Sequence, residues 1–159
     1  MRAATVSRLG QTPELADRDD PPRTPGTTLV RLTAASLNPI DLLISSGGHP
    51  FGVPPVPHVP GVEGVGTVIE SDTHPTGSRV RVSVPGCFVS GTLAELVVAP
   101  DAACLPIPDP LGDDLAAAIG TVGISALMAL RAEADLQPGE SVLIFGATGG
   151  LDRLCGFVA

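Results

Sequence analysis

Ser141-Val142-Leu143-Ile144-Phe145-Gly146-Ala147-Thr148-Gly149-Gly150 is the stretch whose reading decides the fold. An apolar run of strand length passes directly into a glycine-rich turn, and beyond it Leu151, Leu154 and Val158 recur at roughly helical spacing. A strand feeding such a turn and then a helix is the context that a dinucleotide pyrophosphate requires. Small residues let the backbone approach the phosphates, and the helix start offers unpaired N–H groups and a partial positive charge. The pattern predicts a buried strand over Ser141 to Gly146 and a candidate cofactor turn at Gly146, Ala147, Thr148, Gly149 and Gly150.

Upstream of this stretch the chain changes character. From Gly112 it is Ala- and Leu-rich, predicting helices near Asp113 to Ile119 and over Thr121 to Ala134. Before Gly112, Pro and Gly divide it into short segments, as in an all-β barrel or sandwich. Ser78 to Val84 alternates, with Val80, Val82 and Val84 on one face and Arg79, Arg81 and Ser83 on the other, so it reads as a half-buried strand. Thr28 to Leu37, Gly64 to Glu70 and Gly91 to Val98 read as strands too, and Ala3 to Val6 is too weak a signal to count. Gln11 to Gly26, rich in acids and prolines and without a period, reads as a solvent-exposed loop. The division expected is a β domain over residues 1–110, then connecting helices and the start of a cofactor domain over residues 111–159.

Composition removes several function classes. The chain has 159 residues, 43% hydrophobic and 16% charged, enough to bury a core. Its nine basic residues are all Arg; without Lys, Tyr or Trp it holds no Walker A lysine, Schiff-base lysine or Tyr-Lys pair. A net charge of -8 offers no basic stripe for nucleic acid or an anionic membrane. No apolar stretch reaches the roughly 20 residues of a spanning helix. Cys87, Cys104 and Cys155 are odd in number and far apart, so neither a disulfide framework nor a metal clip is expected, and a reducing cytoplasm fits best.

Three further features carry candidate chemistry. Asn38-Pro39-Ile40-Asp41 reads as a capped short helix with Gly47-Gly48 as its stop, a rigid mount that could also aim Asn38 at a ligand. Pro60-Gly61-Val62-Glu63-Gly64-Val65-Gly66 reads as a barrel corner where the backbone comes close, with Glu63 as a solvated or locally hydrogen-bonded turn residue. His49, His58 and His74 sit in Pro-flanked segments without metal-ligand spacing and read as surface histidines.

These motifs in this order resemble the medium-chain dehydrogenase/reductase superfamily, and within it the zinc-independent quinone oxidoreductase branch. The resemblance is carried by Asn38-Pro39-x-Asp41, Pro60-Gly61-x-Glu63-Gly64-x-Gly66, Gly77-Ser78-Arg79-Val80, Gly91-x-x-Ala94-Glu95, the helix around Ala117 to Leu130, and Gly139-Glu140-Ser141-Val142-Leu143 leading into the glycine turn. It implies a mainly β fold: a GroES-like β-barrel followed by helices and the first β-α element of an incomplete Rossmann fold. It also implies NADPH as cofactor, a quinone or an activated carbonyl or alkene as substrate, and Asn38 and Thr121 near the nicotinamide as catalytic residues. Homodimerisation or self-association is the protein partnering it allows. Zinc-dependent members carry a His directly before the Glu of the glycine motif, where this chain has Val62, and a Cys in the segment where it has Asn38 to Asp41; no metal is therefore expected. A non-catalytic GroES-like binding or dimerisation module is the alternative, and a zinc-type alcohol dehydrogenase relative a weaker one.

Two departures bear on activity. The family turn continues Gly-Gly-x-Gly, but here Asp152 stands at the third glycine, and a carboxylate about 4 Å from a phosphate charge costs on the order of 4 kcal/mol at an effective dielectric near 20. The residue that reads the ribose would fall roughly 20 positions past the glycines, beyond Ala159. The expectation is a truncated or frame-shifted N-terminal fragment of low activity whose unpaired strand self-associates or is locally disordered.

Overall fold

The computed structural model describes residues 1–50, 52–84, 90–146 and 148–158. It divides into two compact units, Met1–Ala117 and Ala118–Ala159.

The first unit is built on a five-stranded antiparallel sheet. Its strands are β3 (Thr27–Ala35), β4 (Glu63–Glu70), β5 (Arg79–Ser83), β6 (Leu96–Pro100) and β7 (Cys104–Pro106), in the spatial order β6-β3-β4-β5-β7. The alternation in β5 does what its period requires: Val80 and Val82 are fully buried, while Arg79 and Arg81 lie half-buried on the opposite face. Val30, Val68, Val97, Ala99 and Cys104 complete the same core. Helix α2 (Asp113–Ala118) closes a second small cluster, Ala116 and Ala117 packing on Val65. Arg79 ties that helix to the sheet, donating to the Asp113 carboxylate and, at 2.6 Å, to the Leu111 carbonyl.

Helix α1 (Pro39–Ser45) follows β3 directly, with Pro39 at its first position and Asn38 extended before it. It stops where the sequence predicts: Gly47 takes φ +77°, and the amides of Ser46, Gly47 and Gly48 return to carbonyls in the helix.

The glycines of the 60–66 stretch are used for close approach. A Cβ on Gly66 would lie 2.1 Å from the Arg31 carbonyl oxygen of β3, and Gly61, at φ +109°, lies under Thr92. The close backbone approach expected of this stretch holds at both, with Gly66 inside β4 rather than at a corner.

Several expectations are corrected. Gln11 to Gly26 is not wholly loop, and the discounted Ala3 to Val6 is not irregular. Strands β1 (Arg2–Thr5) and β2 (Glu14–Asp17) pair antiparallel, because Ala3 and Thr5 bury one face and give β2 an edge to pair with. Isolated bridges Ala3↔Ala94 and Val6↔His58 join this hairpin to the rest of the unit. The strand expected from Gly91 begins only at Leu96, since the backbone of Gly91 to Leu93 bonds to Val59, Pro60 and Gly61 instead.

The second unit holds α3 (Gly120–Leu127), a π-helical stretch Met128–Glu133, and α4 (Gly150–Val158). The helix expected over Thr121 to Ala134 therefore widens after Leu127, where the Ala134 amide reaches back five residues to the Ala129 carbonyl. Ala126, Leu130 and Cys155 form its core, with Leu136, Ile144 and Leu154 against them. The strand expected over Ser141 to Gly146 does not form: among the described residues this unit has no strand to pair with it, and a strand needs a ladder. Ile144 turns inward while Leu143 and Phe145 are 78% and 81% exposed.

Gly66 offers a direct test of the close approach between β3 and β4. Gly66→Ala drives a methyl group into backbone, which has no rotamer by which to yield, so a loss of about 3 kcal/mol or more in urea unfolding is expected. An unchanged midpoint would contradict the packing described.

Candidate functional site

The polar heart of the first unit is built around Glu63 at the start of β4. Its carboxylate is 1% exposed and its partners named below lie 18 or more residues away in sequence, which corrects the reading of Glu63 as a solvated or locally hydrogen-bonded turn residue. Three groups converge on it: Ser36 Oγ at 2.8 Å and Asn38 Nδ2 at 3.0 Å donate to one oxygen, and the Arg81 guanidinium pairs with the other. Arg81 reaches it because Glu63 pairs with Ser83 in the β4–β5 ladder, placing Arg81 two residues along on the same face. A buried carboxylate persists only with such partners.

Asn38 is thereby fixed. Its Nδ2 also donates to Ser36 Oγ at 3.0 Å, its backbone N–H donates to Asp41 Oδ2 at 2.7 Å, and it is 8% exposed. Asp41 is 2% exposed; burial raises its carboxyl above the ordinary carboxylate range, and the amides of Asn38, Val62 and Gly61 hold that rise in check.

Beside α1 lies a cleft of about 600 Å³ whose apolar lining includes Leu37, Leu42, Pro60 and Leu93 and whose polar lining is Gln11, Thr12, Asp41, Ser45 and Ser46. Its size is that of a small-molecule site. Asn38 does not line it, although its neighbours Leu37 and Asp41 do. Behind Ser45 sits His58, fully buried, with Nε2 3.3 Å from Ser45 Oγ and burial lowering its pKa. The surface reading of His58 is corrected: its backbone pairs with Val6, and that bridge carries the ring inward. Arg81, Ser36, Ser45 and His58 were not singled out from sequence as partners. The alternation of β5 gave Arg81 a face but no partner, and nothing in the sequence brought positions 45 and 58 together.

In the second unit, Thr121 is half-buried in the first turn of α3, and its carbonyl accepts from Ser125 Oγ at 2.8 Å. The sequence-predicted catalytic residues Asn38 and Thr121 thus belong one to each unit. Of the glycine turn, Ala147 lies outside the described residues. Gly146 takes φ +81°, Thr148 is exposed, and Gly149 and Gly150 lead into α4. Beside these glycines stands Asp152, whose Oδ2 lies 2.7 Å from where a Cβ on Gly149 would be and 3.3 Å from that of Gly146. A carboxylate at that place disfavours an anionic cofactor phosphate beside the glycines. Among the described residues, no group of three or more His, Cys, Asp or Glu could hold a metal ion.

Residues 24–109, more than half of the chain, match the family described as the alcohol dehydrogenase GroES-like domain. The chain is 41% identical over 128 residues to a Mycobacterium tuberculosis phenolphthiocerol/phthiocerol polyketide synthase, covering 77% of this chain and 6% of that protein. It is 35% identical over 129 residues to the quinone oxidoreductase of Mus musculus, covering 77% of this chain and 37% of that one. Among solved structures, the quinone oxidoreductase of Thermus thermophilus, also solved in complex with NADPH, superimposes with a TM-score of 0.85 at 35% identity. That match covers 99% of this chain and 49% of the other, so the chain spans about half the length of the Thermus protein.

The buried imidazole gives the first unit a pH signature. The folded pKa of His58 is below the ordinary 6.5, so its stabilising contribution is present above pH 6.5 and is lost as the pH falls toward the folded value. Urea unfolding at pH 7.5 and at pH 5 is expected to show the loss in the parent chain and a smaller one in His58→Gln. Equal losses in both would contradict the burial.

Proposed function

The chain belongs to the alcohol dehydrogenase GroES-like family, in the quinone oxidoreductase-like part of the medium-chain dehydrogenase/reductase superfamily, and on that premise we propose that it is the substrate-binding part of an oxidoreductase acting on a small quinone or an activated carbonyl or alkene. The observation that carries this reading is the apolar cleft set against a rigid polar mount, with Asn38 locked by Glu63, Ser36 and Asp41. A substrate ring packs on Leu37, Leu42 and Leu93. The fixed polar groups orient it and exclude the alternatives a flexible site would admit. Asn38, which does not itself line the cleft, and Thr121 are the proposed catalytic residues, placed near the nicotinamide by the family resemblance.

NADPH is the proposed cofactor, supported by the Thermus complex. Asp152 beside the glycine turn argues that this chain holds it weakly, so the proposed activity of the chain by itself is low. The same feature favours a second reading, a non-catalytic binding or dimerisation module. Exposed Leu143 and Phe145 support self-association. No helix among the described residues is long and apolar enough to cross a membrane, and the proposed location is the cytoplasm.

Cofactor titration separates the two readings. NADPH binding to the parent chain is expected to be weak, and Asp152→Gly is expected to tighten it by roughly tenfold or more by removing the facing charge. If neither chain binds up to millimolar NADPH while both remain folded, the oxidoreductase reading falls and the module reading stands.

A further inference from the structure

Ser45 and His58 form a pair that the family motifs leave out. Ser45 is 8% exposed, lines the cleft beside α1, and has His58 as its hydroxyl's hydrogen-bond partner at 3.3 Å. A helical serine commonly turns its hydroxyl back to the carbonyl four residues earlier, as Ser125 does to Thr121. Ser45 makes no such bond among the described residues; its Oγ is turned to the imidazole instead.

The direction of that bond follows from the other ring nitrogen. His58 is fully buried, and its Nδ1 has no partner among the described residues. A buried N–H without an acceptor is rarer and more costly than a bare acceptor nitrogen, so the ring proton belongs on Nε2 and Nδ1 is left bare. Nε2–H then donates to Ser45 Oγ. The hydroxyl proton of Ser45 is then left for a partner other than His58, and Ser45 lines the cleft.

We propose that Ser45, oriented by His58, is the hydrogen-bond donor by which the cleft recognises the carbonyl oxygen of a neutral, flat ligand of the quinone class. A neutral ligand suits the cleft because no Arg or His lines it to attract an anion, and Asp41 belongs to its wall. Leu37, Leu42 and Leu93 are available to a ring face, Ser46 spends its hydroxyl on the Leu43 carbonyl at 2.9 Å, Gln11 and Thr12 join the lining from the segment before β2, and the cleft's volume of about 600 Å³ suits a ligand of that size. His58 is a positioning residue, since it acts through Ser45. The inference deepens the proposed oxidoreductase reading and rests on it for the ligand class, but not for any step of turnover.

The test uses the whole chain, labelled with 15N, and two probes of nearly equal shape: tetramethyl-1,4-benzoquinone and 1,2,4,5-tetramethylbenzene, which lacks the carbonyls. Titration followed by amide shifts is expected to place both probes in the cleft. Ser45→Ala should weaken the quinone by roughly tenfold, leave the hydrocarbon unchanged, and be rescued by Ser45→Thr. Long-range proton–nitrogen spectra of the unsubstituted chain should find the His58 proton on Nε2. Equal quinone affinity in Ser45→Ala, no quinone shifts at the cleft, or a proton on Nδ1 would each overturn the proposal. If Ser45→Ala loses the hydrocarbon as well, the cleft itself has changed, and the His58 proton position in the unsubstituted chain decides. Ser45-dependent quinone binding without NADPH binding would sink the oxidoreductase reading and leave this one standing; NADPH binding with Ser45-independent quinone affinity would do the reverse.

Discussion

The first unit depends on one buried charge. Taking a carboxylate out of water costs several kcal/mol even after relaxation, and that penalty is offset only when opposite charge and hydrogen-bond donors meet it in good geometry. Glu63 brings together donors from three segments: Arg81 from β5, Ser36 just after β3, and Asn38 at the head of α1. One carboxylate therefore couples the β4–β5 register, the exit from β3 and the start of the helix beside the cleft. A one-residue slip of β5 would carry Arg81 to the other face and leave Glu63 unpaired, so the pair specifies register as well as contributing energy.

Around that point the backbone is packed too closely for side chains. Gly66 in β4 lies against the Arg31 backbone of its sheet neighbour β3, and Gly61 lies under Thr92, so the 60–66 stretch closes on β3 and on the 91–93 segment without a gap. This close passage carries His58 and Val59 into the interior, and with them the imidazole that stands behind Ser45. The cleft thus inherits its rigidity from glycine geometry on one side and from the Glu63 cluster on the other. At Gly146 and Gly149, before α4, the group close by is instead a side chain, the Asp152 carboxylate.

Much of the sheet was legible in the sequence, and the reason is periodicity. Val80 and Val82 alternate with Arg79 and Arg81, a pattern of period two that has one burial solution, and Asn38-Pro39 with Gly47-Gly48 brackets α1 by cap chemistry alone. What the sequence concealed was pairing across distance. Glu63 among glycines has the local chemistry of a turn residue, and only the ladder that puts Arg81 beside it makes it a buried ion. His58 between prolines has the local chemistry of a surface loop until its bridge to Val6 turns it inward. The apolar run over residues 141–145 erred in the opposite direction: its composition is that of a buried strand, but a strand is a property of a ladder, and none is present in its unit among the described residues.

The most direct measurement of this account is a double-mutant cycle on Glu63 and Arg81, with Glu63→Gln, Arg81→Met and the combined variant unfolded in urea at neutral pH. Arg81→Met alone leaves a buried charge uncompensated and should cost about 3–5 kcal/mol, while the double variant should recover part of that loss, giving a coupling of about 2–3 kcal/mol. Additive losses, with no coupling between the two positions, would contradict the claim that this pair organises the site.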